Sequence, residues 1–248
     1  MNQSAFTYKE HEIISTLPKE DAITLFDILK QHNYITVKTF SDNEKGLVQK
    51  IHIEFFNEMI FKIPRSRSRR KWERTLTLFR ESEAFRNHES MLQLHKLGLK
   101  GAIPILAAQK RSCGFVVESF FTYSFVEGET ASKKDVEKVL EVMNTLHERG
   151  YTRSDPKLQN FIMHEGEVYF IDFRLKKPLL FSNIERTLNL CKFLQTLPND
   201  TQYMDADQKN SLFFKTMYTL HNQIMNWRKI RKKIKKSFKL IKYIEKKD

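Results

Sequence analysis

The stretch Arg153-Ser154-Asp155-Pro156-Lys157-Leu158-Gln159-Asn160 is followed by a short apolar segment that ends in Ile171-Asp172-Phe173. An acid, a lysine two residues later, an amide five residues later and a second acid after a strand are the groups that phosphoryl transfer requires. That reaction needs a carboxylate to orient and deprotonate a hydroxyl, and oxygen ligands to hold Mg²⁺ on the phosphates. Asp155 is the candidate base, and Asn160 and Asp172 are candidate metal ligands. The alternative is a plain turn that Asp155-Pro156 opens and Asn160 caps, because both residue types are common in loops.

The composition predicts a globular protein with a substantial core. The chain has 248 residues, 40% of them hydrophobic, which is enough for one domain or two small lobes. Cys113 and Cys191 lie far apart in the sequence, so we expect no disulfide framework and a reducing cytosol. The N-terminal segment has acids and no apolar signal-like core, and no apolar run is long enough to cross a bilayer. We therefore expect a protein that is neither exported nor membrane-spanning.

The net charge of +13 is concentrated in two segments. Residues 228–248 contain eleven Lys or Arg against two acids, and residues 62–74 contain seven against one. Such patches predict an acidic partner: nucleic acid, a membrane surface or an anionic substrate. Nucleic acid is the weakest of these, because little aromatic interleaving and no recognised nucleic-acid motif accompany the charges.

The N-terminal half shows strand patterns interrupted by two helix patterns. Apolar spacing predicts helices over residues 19–32 and 75–97. Three strands between them form an antiparallel meander, and two more follow the second helix. The five strands are expected over residues 34–40, 46–55, 59–63, 103–109 and 115–126.

Lys62 lies in the third of these strands, between Phe61 and Ile63. The simple interpretation is an edge-strand residue whose ammonium reaches water. Its position shortly before a helix favours a functional role, with Glu83 or Glu89 of that helix as its partner. We prefer Glu89, because the apolar turn that follows it would pack on the sheet and hold it inward.

The C-terminal half is mainly helical. Ser132 with Asp135 is a capping-box variant that begins a helix, and Gly150 ends it. A hairpin over residues 161–171 then carries Asn160 at one end and Asp172 at the other, so that both candidate ligands meet at one edge. Helices follow over residues 184–197 and from 208 to the end. We divide the chain into an N-terminal lobe (residues 1–128), a helical C-terminal lobe with the catalytic loop (129–226) and a basic amphipathic tail (227–248).

With these residues in place, the chain resembles the protein-kinase-like superfamily. Within it, the chain is most similar to the bacterial lipopolysaccharide core heptose kinases, which phosphorylate the second inner-core heptose. The resemblance spans about residues 34–194 and implies an α+β fold of two lobes, a small antiparallel-sheet N-terminal lobe and a compact helical C-terminal lobe. The block from Asp155 to Asp172 is specific for the superfamily. The assignment to heptose kinases rests on the small size, the Ser154-Asp155-Pro156 loop and the basic segments.

The resemblance implies roles for the residues of the decisive stretch. Asp155 corresponds to the catalytic aspartate, and Lys157 to the lysine that neutralises the transferring phosphoryl group. Asn160 and Asp172 correspond to the Mg²⁺ ligands, so ATP and Mg²⁺ are the implied cofactors.

The resemblance also implies a nucleotide clamp in the N-terminal lobe. Lys62 matches the strand lysine that holds the α and β phosphates, with Glu89 as its helix partner. Residues 124–129 look like the hinge that binds adenine through backbone groups, which assigns Ser124 and Val126 to nucleotide binding.

Three departures from the superfamily pattern matter, one for nucleotide affinity and two for regulation. The turn at residues 41–46 has one glycine and two acids, Asp42 and Glu44, so no glycine-rich phosphate loop is evident and a modest nucleotide affinity is expected. Ser154 stands where regulated protein kinases carry an arginine that senses a phosphorylated loop, and Arg174 stands where a glycine would follow Asp-Phe. These residues predict a constitutive enzyme without loop-phosphorylation control.

The first basic segment is the expected acceptor-binding site. Arg65, Arg67, Arg69 and Arg70 follow Lys62 closely and should lie near the mouth of the nucleotide cleft. Planar guanidinium groups pair bidentately with carboxylates and phosphates, which an inner-core acceptor carries.

The second basic segment predicts a membrane contact. Ile230, Ile234, Phe238 and Ile241 recur at helical spacing among lysines and arginines, as in a basic amphipathic helix on an anionic membrane face. The alternative is a solvated helix whose apolar stripe docks on the C-terminal lobe.

The sequence thus predicts an ATP-dependent kinase that phosphorylates a hydroxyl of an inner-core sugar, a heptose, of lipopolysaccharide. Its expected partners are the lipopolysaccharide core glycolipid and the anionic membrane surface, with no nucleic acid. Its expected location is cytoplasmic, peripheral on the inner face of the inner membrane. One alternative is a soluble small-molecule phosphotransferase of the aminoglycoside or choline type. The other is a catalytically silent kinase-like binding module.

Overall fold

The computed structural model describes residues 3–65, 75–197 and 200–244. The N-terminal part contains seven strands and two helices within these ranges. They are β1 (Ser4–Tyr8), β2 (His11–Ser15), α1 (Lys19–Lys30), β3 (Ile35–Asn43), β4 (Gly46–Ile53), β5 (Asn57–Pro64), α2 (Glu83–Lys96), β6 (Pro104–Ser112) and β7 (Phe115–Ser124).

The described C-terminal part is built from short strands and four helices. They are β8 (Glu129–Thr130), α3 (Val136–Glu148), β9 (Thr152–Arg153), β10 (Phe161–His164), β11 (Glu167–Phe170), β12 (Leu175–Lys176), α4 (Ser182–Leu194), α5 (Ala206–Asn210) and α6 (Leu212–Ile244).

The seven N-terminal strands form one antiparallel sheet in the order β1-β2-β6-β7-β5-β4-β3. The meander β3-β4-β5 and the two later strands confirm the sequence prediction. The hairpin β1-β2 was not predicted. Its two-residue turn consists of Lys9 and Glu10, which both adopt positive φ angles of 43° and 64°. Such turns normally carry Asn or Gly, so the sequence lacks the usual hairpin signal.

Alternating side chains give the sheet two buried faces. Neighbouring residues on a strand point to opposite sides, so Phe61 and Phe120 join one apolar cluster while Ile60 and Phe121 join the other. α1 covers the first face, and α2 covers the second. The second cluster continues into α3 and α4, so one core connects the sheet to the C-terminal helices.

β5 is an interior strand, because it pairs with β4 on one side and β7 on the other. The edge-strand interpretation of Lys62 is therefore wrong. α2 begins later than predicted, at Glu83, where the hydroxyl of Ser82 accepts a hydrogen bond from the Phe85 N–H at 3.1 Å. An unpaired N–H at a helix start is satisfied in this way, which explains the boundary.

The C-terminal helix and hairpin follow the predicted pattern. The carboxylate of Asp135 accepts hydrogen bonds from the N–H and the hydroxyl of Ser132, both at 2.9 Å, and a short 3₁₀ turn leads into α3. Gly150 has φ +86°, and its N–H donates to the His147 carbonyl at 2.9 Å, which ends the helix. β10 and β11 form the expected hairpin, and β8 pairs with β10.

α6 is one helix of 33 residues that continues without a break across residue 227, where the sequence suggested a separate tail. Its first half packs on α4. Among the described residues, none of the helices combines the length and the apolar character that crossing a membrane requires.

A buried histidine in α2 makes the stability of the fold sensitive to acid. His88 is 0% exposed, and burial lowers the pKa of its imidazole from 6.5 to about 4, although the Ile105 carbonyl opposes this shift. Below pH 6.5 the His88 imidazole is protonated in the unfolded chain, whereas in the folded chain it stays neutral down to about pH 4. The free energy of unfolding therefore falls as pH drops from 6.5 toward 4. Between pH 7 and 5 the loss from this residue is roughly 2 kcal/mol.

We predict that His88→Leu removes that part of the acid sensitivity. Urea unfolding of both proteins at pH 7 and pH 5 measures it, and His32→Leu, an exposed histidine, is the control. A residual loss is expected in the variant, because burial also lowers the pKa of His147. If His88→Leu and wild type lose equal stability between the two pH values, the buried imidazole is not the cause.

Candidate active site

A tight turn brings together the residues of the predicted catalytic loop, residues 154–160, hereafter the catalytic loop. The loop leaves β9 after Arg153, and the N–H of Lys157 donates to the Asp155 carbonyl at 3.0 Å. The N–H of Asn160 then donates to the Lys157 carbonyl, also at 3.0 Å, in a single 3₁₀ turn over Leu158–Asn160. Side chains two and five residues apart consequently converge on one side of the loop.

The side chains of Asp155, Lys157 and Asn160 contact one another directly. The Lys157 Nζ lies 3.0 Å from Asp155 Oδ2. The Asn160 amide Nδ2 donates to the Asp155 carbonyl at 3.0 Å and lies 3.5 Å from Oδ2. About half of the Asp155 side chain is exposed, so its carboxylate is accessible to a substrate hydroxyl.

The hairpin β10-β11 places Asp172 beside this loop. The N–H of Ile171 donates to the Asn160 carbonyl at 3.1 Å, so the next residue, Asp172, leaves the hairpin at the edge where Asn160 enters it. Asp172 has a φ of +43°, which a non-glycine residue adopts only where the surroundings enforce it. The structure thus brings the two predicted metal ligands to one edge.

The strand lysine reaches the same edge from the sheet. The Lys62 Nζ donates a short hydrogen bond to Asp172 Oδ1, and the lysine side chain is mostly buried. The buried hydroxyl of Tyr123 lies nearby: burial raises its pKa strongly, and the charge of Asp172 adds to the effect. Lys62 and Asp172, 110 residues apart in sequence, are therefore one charge pair.

The predicted helix partner of Lys62 is not in contact with it. Glu89 lies on the outer side of α2, and within the described ranges it forms no ion pair. Its pKa is raised by partial burial and by the neighbouring Glu81. The carboxylate that Lys62 contacts is Asp172, and the role of Glu89 stays a prediction without a contact that supports it.

The predicted hinge contains some polar groups that are already hydrogen-bonded within the protein and others that are not. The Ser124 N–H donates to the Ile103 carbonyl, and the Ser124 hydroxyl accepts from the Ile103 N–H, both at 2.8 Å. The Val126 backbone, in contrast, makes no hydrogen bond to any residue that the structure describes. Adenine binds hinges through backbone N–H and C=O groups, and the groups of Val126 are among those of this segment that are available.

The donor set at the hairpin edge fits Mg²⁺. The Asn160 Nδ2 donates to Asp155, which fixes the amide and leaves Oδ1, the oxygen that a hard cation prefers, without a hydrogen bond to a described residue. No cluster of three or more His, Cys, Asp or Glu side chains among the described residues could hold a metal ion by itself. Asn160 and Asp172 would accordingly bind Mg²⁺ together with phosphate oxygens, which suits a nucleotide-bound ion.

Of the four predicted acceptor-binding arginines, Arg65 is the one that lies within the described residues. The Arg65 guanidinium forms a short ion pair with Asp42, and its backbone N–H donates to the Lys45 carbonyl at 3.1 Å. Arg65 thus neutralises an acid of the turn between β3 and β4. Arg67, Arg69 and Arg70 lie outside the described residues, and their role stays a prediction.

Sequence reasoning gave no role to Arg153, which the structure buries below the catalytic loop. Its side chain is 1% exposed, and its guanidinium carbon lies 4.3 Å from the centre of the Phe161 ring, 5.4 Å from that of Phe170 and 5.9 Å from that of Phe173. Burial lowers the pKa of this guanidinium to about 9, and the charges of Asp155 and Asp172 oppose the shift.

The backbone of Arg153 is held by a buried polar chain. The Asn189 Nδ2 donates to the Arg153 carbonyl at 2.6 Å, and the Asn189 Oδ1 lies 3.1 Å from His147 Nε2. α3 and α4 thereby fix the start of the loop that carries Asp155. Arg153 belongs to the stretch from Arg153 to Asn160, but its burial depends on phenylalanines from three other segments, which spacing alone does not reveal.

The seven-stranded sheet, the helix behind it and the catalytic loop below define a protein-kinase-like fold. Many solved structures are similar to this chain, and two of them illustrate the likeness. The chain is similar to WaaP in complex with acyl carrier protein, with a TM-score of 0.52 and 13% identity over 86% of this chain and 92% of that one. It is also similar to the Rio2 kinase of Chaetomium thermophilum in a complex with ADP, Mg²⁺ and phosphoaspartate, with a TM-score of 0.52 and 11% identity over 88% and 71%. No family model and no curated protein sequence matches the chain.

The position of Arg153 predicts opposite effects on stability and activity. Arg153→Met keeps the volume and the ring contacts but removes a buried charge whose desolvation costs stability, so thermal unfolding should occur at the wild-type temperature or above it. The same change removes the positive charge that Asp155 and Asp172 share, and phosphotransferase turnover should fall at least about 10-fold, a loss of roughly 1.4 kcal/mol in the transition state.

Calorimetry and steady-state ATP turnover check the two parts separately. Arg149→Met, a change of the same size at the end of α3, is the control. Unchanged turnover in Arg153→Met would show that the guanidinium is only a packing element.

Proposed function

We propose that the chain is an ATP-dependent kinase that phosphorylates a sugar hydroxyl of the lipopolysaccharide inner core, a heptose. The convergence of Asp155, Lys157 and Asn160 with the pair Lys62–Asp172 carries this proposal, because these are the groups that phosphoryl transfer needs. The sequence resemblance to the heptose kinases supports the choice of acceptor, and the fold similarity to WaaP and to the Rio2 kinase supports a kinase-like phosphotransferase.

In the proposed reaction the acceptor hydroxyl lies against the Asp155 carboxylate. As the hydroxyl oxygen forms a bond to the γ-phosphorus of ATP, its proton passes to Asp155. The bond between the γ-phosphorus and the bridging oxygen breaks, and ADP leaves with the electron pair. Lys157, 3.0 Å from Asp155 Oδ2, is near enough to neutralise charge on the phosphoryl group during transfer.

The nucleotide is proposed to lie between the hinge and the Lys62–Asp172 pair. The free backbone of Val126 takes the adenine, and the Lys62 ammonium takes phosphate oxygens. Asn160 Oδ1 and Asp172 would hold Mg²⁺, which would neutralise charge on the phosphates. Arg65 compensates Asp42, so the acidic turn between β3 and β4 repels phosphate less than its sequence suggests.

Two rival functions make different demands on the structure. A silent binding module has no need of an accessible Asp155 or of an Asn160 with a free oxygen, so the complete set favours an enzyme. A soluble phosphotransferase of the aminoglycoside or choline type would share the site but would have no use for the basic apolar face of α6.

We predict that Asp155→Asn and Asp172→Ala fail in different ways. Asp155→Asn should keep Mg-ATP affinity but lower transfer by about 10² to 10⁴, because the hydroxyl loses its base. Asp172→Ala should also weaken Mg-dependent nucleotide binding. Calorimetric ATP titration with and without Mg²⁺, and transfer of labelled phosphate, distinguish the two variants.

Asp207→Asn, an exposed acid on α5, is the matched control for the loss of one negative charge. Asp155→Asn with transfer within a few-fold of wild type would refute the catalytic assignment. Equal Mg-dependent ATP binding in Asp172→Ala and wild type would refute the metal assignment.

The outer face of α6 supports a peripheral position on an anionic membrane. Trp227, Ile230 and Ile234 are 62%, 55% and 50% exposed, and they extend a stripe that starts at Leu220 and Ile224. If the stripe docked on the C-terminal lobe, as the alternative interpretation requires, Ile230 and Ile234 would be buried. An exposed apolar stripe among basic residues is typical of helices that lie at the interface of anionic bilayers. We propose that this face binds the cytoplasmic surface of the inner membrane.

We predict that Ile230→Gln with Ile234→Gln reduces cosedimentation with vesicles of phosphatidylglycerol and phosphatidylethanolamine at least about 10-fold, because apolar burial and charge act together. Ile35→Gln with Val37→Gln, two exposed apolar residues of the edge strand β3, is the matched control. Equal vesicle binding of both variants would contradict the proposal. If wild type binds acyl carrier protein but does not bind vesicles, the basic face of α6 is a protein-binding surface. Acyl carrier protein is the partner of WaaP in the similar solved structure.

A further inference from the structure

A cavity of about 460 Å³ opens directly beside the catalytic carboxylate. One wall is the catalytic loop, Ser154 to Lys157, and the other walls are the end of α4 and the middle of α6. The residues assigned to nucleotide and metal, Lys62, Val126, Asn160 and Asp172, do not line it. Asp155 is thus reached from this cavity without passing the nucleotide groups, and the volume is that of a small-molecule site.

The charges around the cavity favour an anion. Lys192 of α4 and Arg228 of α6 line it, and neither forms an ion pair with a described residue. Among the described residues that line the cavity, the only acid is Asp155, which already contacts Lys157. Two uncompensated cations on facing helices therefore leave the far side of the cavity positive.

The neutral polar groups of the cavity suit hydroxyl groups. The buried Gln195 Nε2 has no hydrogen-bond partner among the described residues, and the amides of Asn222 and Asn226 line the α6 side. A buried amide without a partner costs free energy that a ligand hydroxyl can recover. His221 is buried in the same wall, and burial together with the charges of Lys192 and Arg228 lowers the pKa of its imidazole.

We propose that this cavity is the acceptor site and that it selects a sugar with an anionic substituent, a phosphate or a carboxylate. Lys192 and Arg228 hold the substituent, Gln195 and Asn222 bind ring hydroxyls, and the hydroxyl to be phosphorylated reaches Asp155. The proposal rests on the phosphotransferase function proposed above, and it names the substrate class of that site.

This assignment differs from the one that the sequence suggested. The Arg65 guanidinium is engaged with Asp42 at the turn between β3 and β4, and Arg65 does not line the cavity. The cavity lies on the C-terminal side, where α4 and α6 contribute the cations. Recognition of the acceptor charge is thereby separated from the binding of the ATP phosphates.

Binding of small sugars tests the cavity without the chemical reaction. The His221 imidazole resonance, assigned from the spectrum of His221→Gln, is followed during titration with glucose 6-phosphate, galacturonate and uncharged glucose. We expect one or both anionic sugars to shift this resonance, and glucose to bind at least 10-fold more weakly. A response to glucose 6-phosphate alone identifies phosphate as the substituent, and a response to galacturonate alone identifies carboxylate. Equal binding of all three sugars, or of none, overturns the proposal.

Removal of the two cations is the second arm of the experiment. Lys192→Gln with Arg228→Gln should weaken binding of the anionic sugar at least 10-fold, and should raise the KM for the core glycolipid by a similar factor. Lys209→Gln with Lys215→Gln, two exposed lysines outside the cavity, removes the same charge and should bind like wild type. An unchanged thermal shift on addition of ADP shows that the cavity variant is folded.

The two proposals fail in distinguishable ways. If wild type neither binds Mg-ATP nor transfers phosphate, the phosphotransferase function is wrong, whatever the sugar titration shows. If wild type transfers phosphate but the cavity variant and its control bind the sugars and the glycolipid equally well, the acceptor site is elsewhere and this inference is wrong.

Discussion

The buried guanidinium of Arg153 is the constraint on which the site depends. It lies against Phe161 of β10, Phe170 of β11 and Phe173 of the segment after β11. The charges of Asp155 and Asp172 act on this guanidinium and oppose the fall in its pKa that burial causes. The desolvation of Arg153 costs stability, so its presence is explained by the geometry and charge that it imposes on the two acids. Asn189 and His147 add a polar chain that fixes the backbone at the same point.

The parts of the site that the sequence predicted are the parts that local geometry determines. Asp155, Lys157 and Asn160 converge because one 3₁₀ turn separates them, and a turn of this size is visible in their spacing. The hairpin that ends at Asp172 is likewise local, since Glu165 and Gly166 form its turn. Five of the seven strands and the meander β3-β4-β5 were predicted for the same reason, but the pairing of β2 with β6 and of β5 with β7 joins distant segments and was not.

What the sequence did not reveal depends on contacts between distant segments or on unusual turns. The Lys9 and Glu10 turn carries no glycine or asparagine, so β1 and β2 were missed. The apolar turn that follows Glu89 predicts that this acid is held inward against Lys62, but the Glu89 side chain is exposed on the outer side of α2. The cavity between the catalytic loop, α4 and α6 requires residues 154, 192 and 228 to meet, and no pattern in the sequence relates them.

The basic residues near the site fall into two groups, those that are paired with acids and those that have no acidic partner among the described residues. Lys62 and Lys157 are paired with the two acids of the site, and Arg65 is paired with an acid of the neighbouring turn. Lys192 and Arg228, without such partners among the described residues, are the cations that remain for an acceptor. The exposed apolar stripe of α6 begins close to the same cavity, so a glycolipid held at a membrane surface could present its sugar to Asp155.

The central claim is transfer of the γ-phosphoryl group of ATP to a core sugar, and mass spectrometry of the acceptor tests it most directly. Purified protein, Mg-ATP and core glycolipid from cells that lack this protein are incubated, and the glycolipid is analysed before and after. The account predicts that the glycolipid gains one phosphate group on a heptose with wild type and gains none with Asp155→Asn. An acceptor of unchanged mass, while the same protein consumes ATP in the presence of another alcohol, would contradict it.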